Sequence, residues 1–410
     1  MKTVSDRTKY IWNLVGNTMS SLLSVVLLVG VNRVAGEAAG GVFSFTLSIA
    51  QLMQYIALFE VRPYQVTDIN GRYSFSGYFS LRLFSCAAML LVGAGYTLLS
   101  GLTAEKKLLL GILCIYKAED AFTDLFAAAY QQHDRIDLAG KNMTIRTAFS
   151  MLSFFVVMVF TGELISASLA MCLAIPVAFF LFDWRAKRLF QDIRCRFSFS
   201  ELKGIVNAVL PLAIAAFVRA YAINVPKYAI DRFLGDTAQN RYGILFMPSM
   251  VVNLFSIFLF YPRLRRMSEE WNNGKVNGLS RYIRRILLLL AGMTVLCTIV
   301  AIWPGLPVLS LMYGVDLSAE GVSIALLMMF GGFNAAEIFL YYVIVAVRKQ
   351  YLPVIVYSVA AVLLSLVSGP LVCTYRIPGA AISIVLAFLF IVLVYGGVLY
   401  AVFRRKERKL

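Results

Sequence analysis

The chain has 410 residues, 60% of them hydrophobic and 15% charged, with a formal net charge of +16. A water-soluble domain carries about 25% charged and 45–50% apolar residues, so this apolar excess exceeds what one globular core can hide, and lipid must solvate much of the surface. The positive charge does not describe a nucleic-acid-binding patch either. It falls in bursts between apolar runs, as in Arg185-Ala186-Lys187-Arg188 and Arg404-Arg405-Lys406, the pattern that membrane topology produces.

A membrane-spanning helix needs about 20 mostly apolar residues. The N-terminus is short and basic (Lys2, Arg7, Lys9) and leads into the first such run without a small-residue cleavage site, so a retained helix is expected there. The first six spans are expected at 10–31, 40–60, 78–99, 108–130, 144–162 and 166–184. Six more follow at 206–229, 243–261, 284–303, 320–346, 353–373 and 379–402. The fold class is therefore all-α: a polytopic membrane protein of about twelve transmembrane helices. The basic segment 185–205 divides it into a bundle over 1–184 and a bundle over 206–410. Two six-helix halves around a central cavity suggest a transporter built from repeats. A second long connection, 262–283, is also rich in basic residues.

Orientation follows from the 38 basic residues. With the N-terminus inside, only Arg33, Lys106, Lys107, Arg232, Arg241 and Arg376 fall on outward loops. Arg82, Lys117, Arg219 and Lys227 lie within or at the edge of helices, which leaves 28 of the 38 on the inner side. The bias predicts both termini in the cytoplasm.

The fourth span carries Lys117-Ala-Glu119-Asp120-Ala-Phe-Thr-Asp124 near its middle. At about 2.5–3.5 kcal/mol for each central charge, four cost roughly 10–14 kcal/mol, so they must face protein or water. Lys117, Asp120 and Asp124 share a face through i+3 and i+4 spacing, and Glu119 points about 100° away from Asp120. One reading is a hydrated cavity where Glu119, Asp120 and Asp124 bind a proton or sodium ion and Lys117 meets an anionic substrate. The other is a self-neutralised cluster that joins helices.

The seventh span carries Arg219 near its centre and Lys227 two turns on, with Pro211 and Pro226 around them. Prolines free backbone carbonyls and permit a bend, and a bent cationic helix can contact an anion. Snorkelling to the interface is the alternative, more natural for Lys227 than for Arg219. On the tenth span Glu337 and Asn334 form an i, i+3 pair near mid-membrane and are a further ion-coupling candidate. Asn13, Asn17, Ser20 and Ser24 form a polar stripe on the first helix. Arg82 is expected to snorkel, and Glu60 with Arg62 to form a plain salt bridge at the end of the second span. The six cysteines are scattered and His133 is the single histidine, so no disulfide framework, metal centre or other cofactor is expected.

The segment Val31-Asn-Arg33-Val-Ala-Gly36-Glu-Ala-Ala-Gly40-Gly41-Val-Phe43-Ser-Phe45 resembles the pattern that follows the first helix in polysaccharide-type flippases. These belong to the multidrug/oligosaccharidyl-lipid/polysaccharide (MOP) exporter superfamily. Phe59-Glu60-Val-Arg62-Pro-Tyr64-Gln65-Val-Thr-Asp68 is similar to the end of their second helix. The first motif departs from the pattern in having Val-Ala-Gly where Leu-Gly is usual. The resemblance implies an O-antigen, capsule or teichoic-acid exporter of the bacterial cytoplasmic membrane. Its cargo would be a polyprenyl-diphosphate-linked oligosaccharide, its surroundings membrane lipids, and its partners other polysaccharide-assembly proteins. Arg219, Lys117 and Lys227 would then meet the diphosphate. A cation or drug antiporter of the same superfamily is the alternative. A membrane-embedded polyprenyl glycosyltransferase or polymerase is disfavoured, because the acids of the short outward loops are isolated; no enzymatic activity is expected.

Overall fold

The computed structural model describes residues 5–68, 71–260, 276–347 and 351–407, together with Met267, Trp271 and Lys349. Among the described residues every regular element is helical. The long connection expected at 262–283, with Asn273 inside it, lies largely outside them.

The first helix, α1 (Asp6–Leu58), starts at Ser5, whose hydroxyl accepts from the Thr8 N–H at 3.3 Å, a standard N-cap. It is broken at Gly36, with φ 86° and ψ 179°. That backbone region is open essentially to glycine alone, which gives the glycine of the first-loop motif a physical role. The break converts one long helix into two spans. At its end Phe59 (φ 47°) and Glu60 (φ 50°) both take left-handed conformations, and the short helix α2 (Val61–Thr67) sets off in a new direction. There follow α3 (Phe75–Leu99), α4 (Ala104–Gln132), α5 (Ile136–Thr161) and α6 (Leu164–Ala178), the last running into a π turn over Phe179–Asp183. Next come α7 (Leu202–Leu234) and α8 (Asp236–Phe260), α7 being continuous through both of its prolines. The helix α9 (Val276–Val300) continues through a π turn over Ala301–Gly305 into α10 (Leu306–Tyr313). Last are α11 (Gly321–Ala346) and α12 (Leu352–Glu407), the latter broken at Arg376 (φ 57°, ψ −131°) just before Pro378.

Among the described residues eight helical stretches are long and apolar enough to cross a membrane. Two of these are the broken helices α1 and α12, each supplying two spans. With α4 and α8 the count reaches twelve, in agreement with the sequence. Leu91, Leu98 and Leu99 on α3, Phe160 on α5, and Leu288 and Leu296 on α9 are exposed. Apolar side chains in such runs need lipid as their solvent, and the chain is a multi-pass membrane protein.

Two compact units are present, Met1–Ala220 and Tyr221–Leu410, so the boundary falls inside α7. In the first unit α1 packs on α5 through two glycines: a Cβ at Gly140 would lie 2.3 Å from the Trp12 carbonyl oxygen, and one at Gly16 2.7 Å from that of Gly140. Small residues let the backbones of two membrane helices approach this closely. The core of this unit includes Tyr78, Leu125, Phe126, Tyr130 and Phe179. Ile193 and Ile205, from the basic segment 185–205, are buried in the same cluster. That segment is thus packed on the first unit.

Candidate functional site

Asp120 and Asp124 of α4 meet side chains from four other helices of the first unit, α1, α2, α3 and α5. Asp124 accepts from Arg62 Nη1 of α2 at 2.6 Å, and its other oxygen lies 3.7 Å from Arg82 Nη2 of α3. Arg82 is 0% exposed, so it does not snorkel. Its Nη1 donates to the carbonyl of Ala57, which also accepts from the Ser85 hydroxyl at 2.7 Å. The sharp turn at Phe59 and Glu60 explains this placement. It ends α1 and leaves the Ala57 carbonyl without a helical partner, and a helix C-terminus favours a cation.

One turn back, Asp120 accepts from the Gln54 amide at 2.8 Å and from Arg146 Nη2 of α5 at 3.4 Å. Arg146 also reaches to 3.9 Å from Asp183 on the π turn after α6, and Asp183 accepts from the Asn142 amide at 2.9 Å. Arg62 is therefore paired with Asp124, in place of the Glu60 pair expected from the sequence. The carboxylate excess seen along α4 is answered by arginines that come from elsewhere in the chain. Gln54, Arg62, Arg82, Arg146 and Asp183 are the members that the sequence does not place here. Arg146 stands at the very edge of the span expected at 144–162 and groups with the inner-side basic residues, whereas α5 begins eight residues before that span, at Ile136. The i, i+4 pair of Asn142 and Arg146 was the available signal.

The other residues singled out on α4 stand apart from this network. Glu119 faces α6, where Cys172 Sγ lies 3.5 Å from its Oε2. Lys117 is 8% exposed. Its Nζ lies 5.5 Å from the centre of the Tyr116 ring, and it makes no ion pair among the described residues. Asp120 and Asp124 thus share a cluster, while Lys117 is buried on the same helix without an ion pair to either of them.

On α7, Arg219 is half-buried within the first unit, and Lys227 is buried in the second. Lys227 Nζ sits 4.9 Å from the centre of the Phe246 ring of α8, a cation–π distance. In the same unit Glu337 of α11 is fully buried and accepts a hydrogen bond from the Tyr357 hydroxyl of α12; Asn334 is buried one turn before it.

No protein-family model matches the chain. A capsular polysaccharide biosynthesis protein of Staphylococcus aureus, CapF, is 21% identical over 383 residues, covering 91% of this chain and 94% of that protein. Among solved structures, the inward-facing form of a multidrug resistance MATE family transporter of the MOP superfamily superposes with a TM-score of 0.75 at 13% identity, over 95% of both chains. The outward-facing form of such a transporter gives 0.62 at 12% identity, over 98% of this chain and 96% of the other. A MOP superfamily transporter from Pyrococcus furiosus, described as having a binding pocket of reverse polarity, gives 0.57 at 12% identity, over 98% of this chain and 95% of the other. The fold is that of MOP superfamily transporters.

Proposed function

We propose that this chain carries a polyprenyl-diphosphate-linked oligosaccharide, the precursor of a cell-surface polysaccharide, from the inner to the outer leaflet of the bacterial cytoplasmic membrane. The observation that carries this reading is the near end-to-end match to a protein named for capsular polysaccharide biosynthesis, on a chain with a transporter fold. Both termini lie in the cytoplasm, as the bias in basic residues requires. Transport proceeds by alternating access and involves no covalent chemistry.

A diphosphate is an anion, and a cation left unneutralised in a low-dielectric interior attracts it strongly. Lys117, buried and in no ion pair among the described residues, is assigned the contact with the diphosphate, together with Arg219 and Lys227 on α7. Coupling to a proton or sodium gradient is assigned to Glu119 and Glu337, with Asp120 and Asp124 acting through their arginine partners. A second reading, antiport of a cationic drug, is favoured by the multidrug transporters among the structural neighbours. Against it, Asp120 and Asp124 are engaged by Arg146, Arg62, Arg82 and Gln54, which occupy the carboxylates that such a cation would need.

Proteoliposomes holding a fluorescent polyprenyl-diphosphate-linked disaccharide test the proposal, with an impermeant reductant bleaching the outer leaflet. The wild type should speed exchange of the inner pool, and Lys117→Ala should slow it at least tenfold while the protein still inserts and folds. Exchange no faster than in empty liposomes, together with gradient-driven uptake of a cationic dye, would replace the flippase reading with the antiporter.

A further inference from the structure

The second unit holds a groove of about 420 Å³ between α9 and the end of α12; one of its lining residues, Leu340, lies one turn beyond Glu337 on α11. Its lining joins charge to apolar surface: Arg284 and Arg404 line it together with Leu287, Leu340 and Gly396. Most of the lining comes from one face of each of two helices. On α9 the groove residues recur as 280, 284 and 287; on α12, taken backwards, as 404, 400 and 396. Each set follows the i, i+3/i+4 spacing of a single helix face.

The cationic part is a built structure. Phe403, which lines the groove, stacks on Trp271 at 5.5 Å between ring centres, and Lys406 lies 3.8 Å over that indole and donates to the Trp271 carbonyl. Lys406 is thereby engaged, whereas Arg284 and Arg404 are exposed and make no ion pair among the described residues. Two available guanidiniums beside an apolar trough suit an amphiphile with an anionic head. Guanidinium forks match phosphate geometry, and basic pockets between membrane helices bind anionic lipid headgroups.

We propose that this groove is a binding site for an anionic phospholipid, its phosphate held by Arg284 and Arg404 and one acyl chain lying along Leu287, Leu340 and Gly396. The site is independent of the transported cargo. A lipid held here ties the C-terminal helix to α9 and makes the second unit sensitive to membrane composition.

The test uses the purified full-length protein in detergent, titrated with phosphatidylglycerol or phosphatidylcholine and read by native mass spectrometry. One phosphatidylglycerol should be retained at least tenfold more tightly than phosphatidylcholine. The pair Arg284→Ala/Arg404→Ala should remove that preference. Arg281→Ala/Arg405→Ala deletes the same charge from exposed arginines outside the groove, and should leave it unchanged. Gly396→Leu should block retention with every arginine in place; an added Cβ there meets no atom within 4 Å, so the helix tolerates it. Equal retention of both lipids would overturn the proposal, as would wild-type retention in the groove variants. Tighter retention of undecaprenyl phosphate than of phosphatidylglycerol would overturn it too, since the groove would then serve the cargo.

Discussion

The two units bury charge in different ways. Among the described residues the first buries Arg82, Lys106, Lys117, Asp137, Arg146 and Asp183, and the second buries Lys227 and Glu337. Beyond those two, the buried polar groups of the second unit are neutral, as at Asn224, Gln239, Asn240, Ser249 and Asn334. An ion taken out of water costs several kcal/mol unless it is paired, whereas a neutral amide or hydroxyl costs less. The arrangement of α1 through α6 therefore depends on ion pairs that have to form together, whereas the second unit has fewer buried charges to satisfy among its described residues. Of the first unit's buried cations, Arg82 and Arg146 are held by this network, whereas Lys117 makes no ion pair within it.

The contrast is broken or sharpened most directly at Asp124. Asp124→Ala removes the carboxylate shared by Arg62 and Arg82 and leaves Arg82 buried with only the Ala57 carbonyl as a hydrogen-bond partner. A loss of about 3–5 kcal/mol is expected, seen as a lower unfolding midpoint in detergent. A loss under about 1 kcal/mol would mean that the network is not what holds the first unit. In the second unit Tyr357→Phe removes the hydroxyl that Glu337 accepts from. A cost of about 1–3 kcal/mol is expected from leaving that buried acceptor short of a donor, smaller than for Asp124. If Tyr357→Phe proves the more damaging, the contrast between the units fails.

Much of the fold was legible because membrane insertion imposes length and hydropathy on each span. The twelve apolar runs lie on ten long helices, two of them broken, and the gaps at 32–39 and 374–378 became the breaks at Gly36 and Arg376. The charged run on α4 was legible as an anomaly for the same reason. Its partners were not. Gln54, Arg62, Arg82 and Arg146 lie between 26 and 66 residues from the acids they meet, and hydropathy carries no information about such pairings. Arg146 shows the cause most sharply. The polar first turns of α5, Ile136 to Arg146, cross protein rather than lipid, so an apolar window cannot find where the helix begins. Asp183 was hidden in another way, beside the basic run that starts at Arg185.

The two broken helices extend the comparison to the backbone. Both breaks need a positive φ, but the first unit places a glycine there and the second an arginine, Arg376, whose side chain is exposed. Gly36→Ala should destabilise by about 1–3 kcal/mol, because a Cβ is strained at φ 86° although no atom lies within 4 Å of it. Arg376→Gly should act in the opposite sense and stabilise by up to about 1 kcal/mol, since it relieves strain at φ 57° and ψ −131° at the cost of some unfolded-state entropy. Thermal unfolding of both variants in the same detergent measures the pair. Shifts of the same sign would show that the breaks are held by contacts rather than by local backbone preference.

The smallest effect is expected at the rim of the first unit, where a charge is held without deep burial. Asp68, between α2 and α3, accepts from the N–H groups of Arg72 at 2.9 Å and Tyr73 at 3.1 Å, and from the Tyr78 hydroxyl at 2.9 Å. Partial burial pushes its carboxyl up, but these three donors and the nearby Arg72 charge outweigh it and hold the group below the ordinary value of 3.8. A carboxyl depressed in the folded state stabilises it above the unfolded pKa, and that stabilisation is lost as pH falls through the folded value. The difference in unfolding midpoint between wild type and Asp68→Asn should therefore be constant from about pH 8 to about pH 5 and shrink below about pH 4. Because solvent screens a rim charge, the difference should stay well below that of Asp124→Ala. A difference that instead grows as the solution is acidified would mean that the folded state prefers the protonated carboxyl, and that the three donors do not govern it.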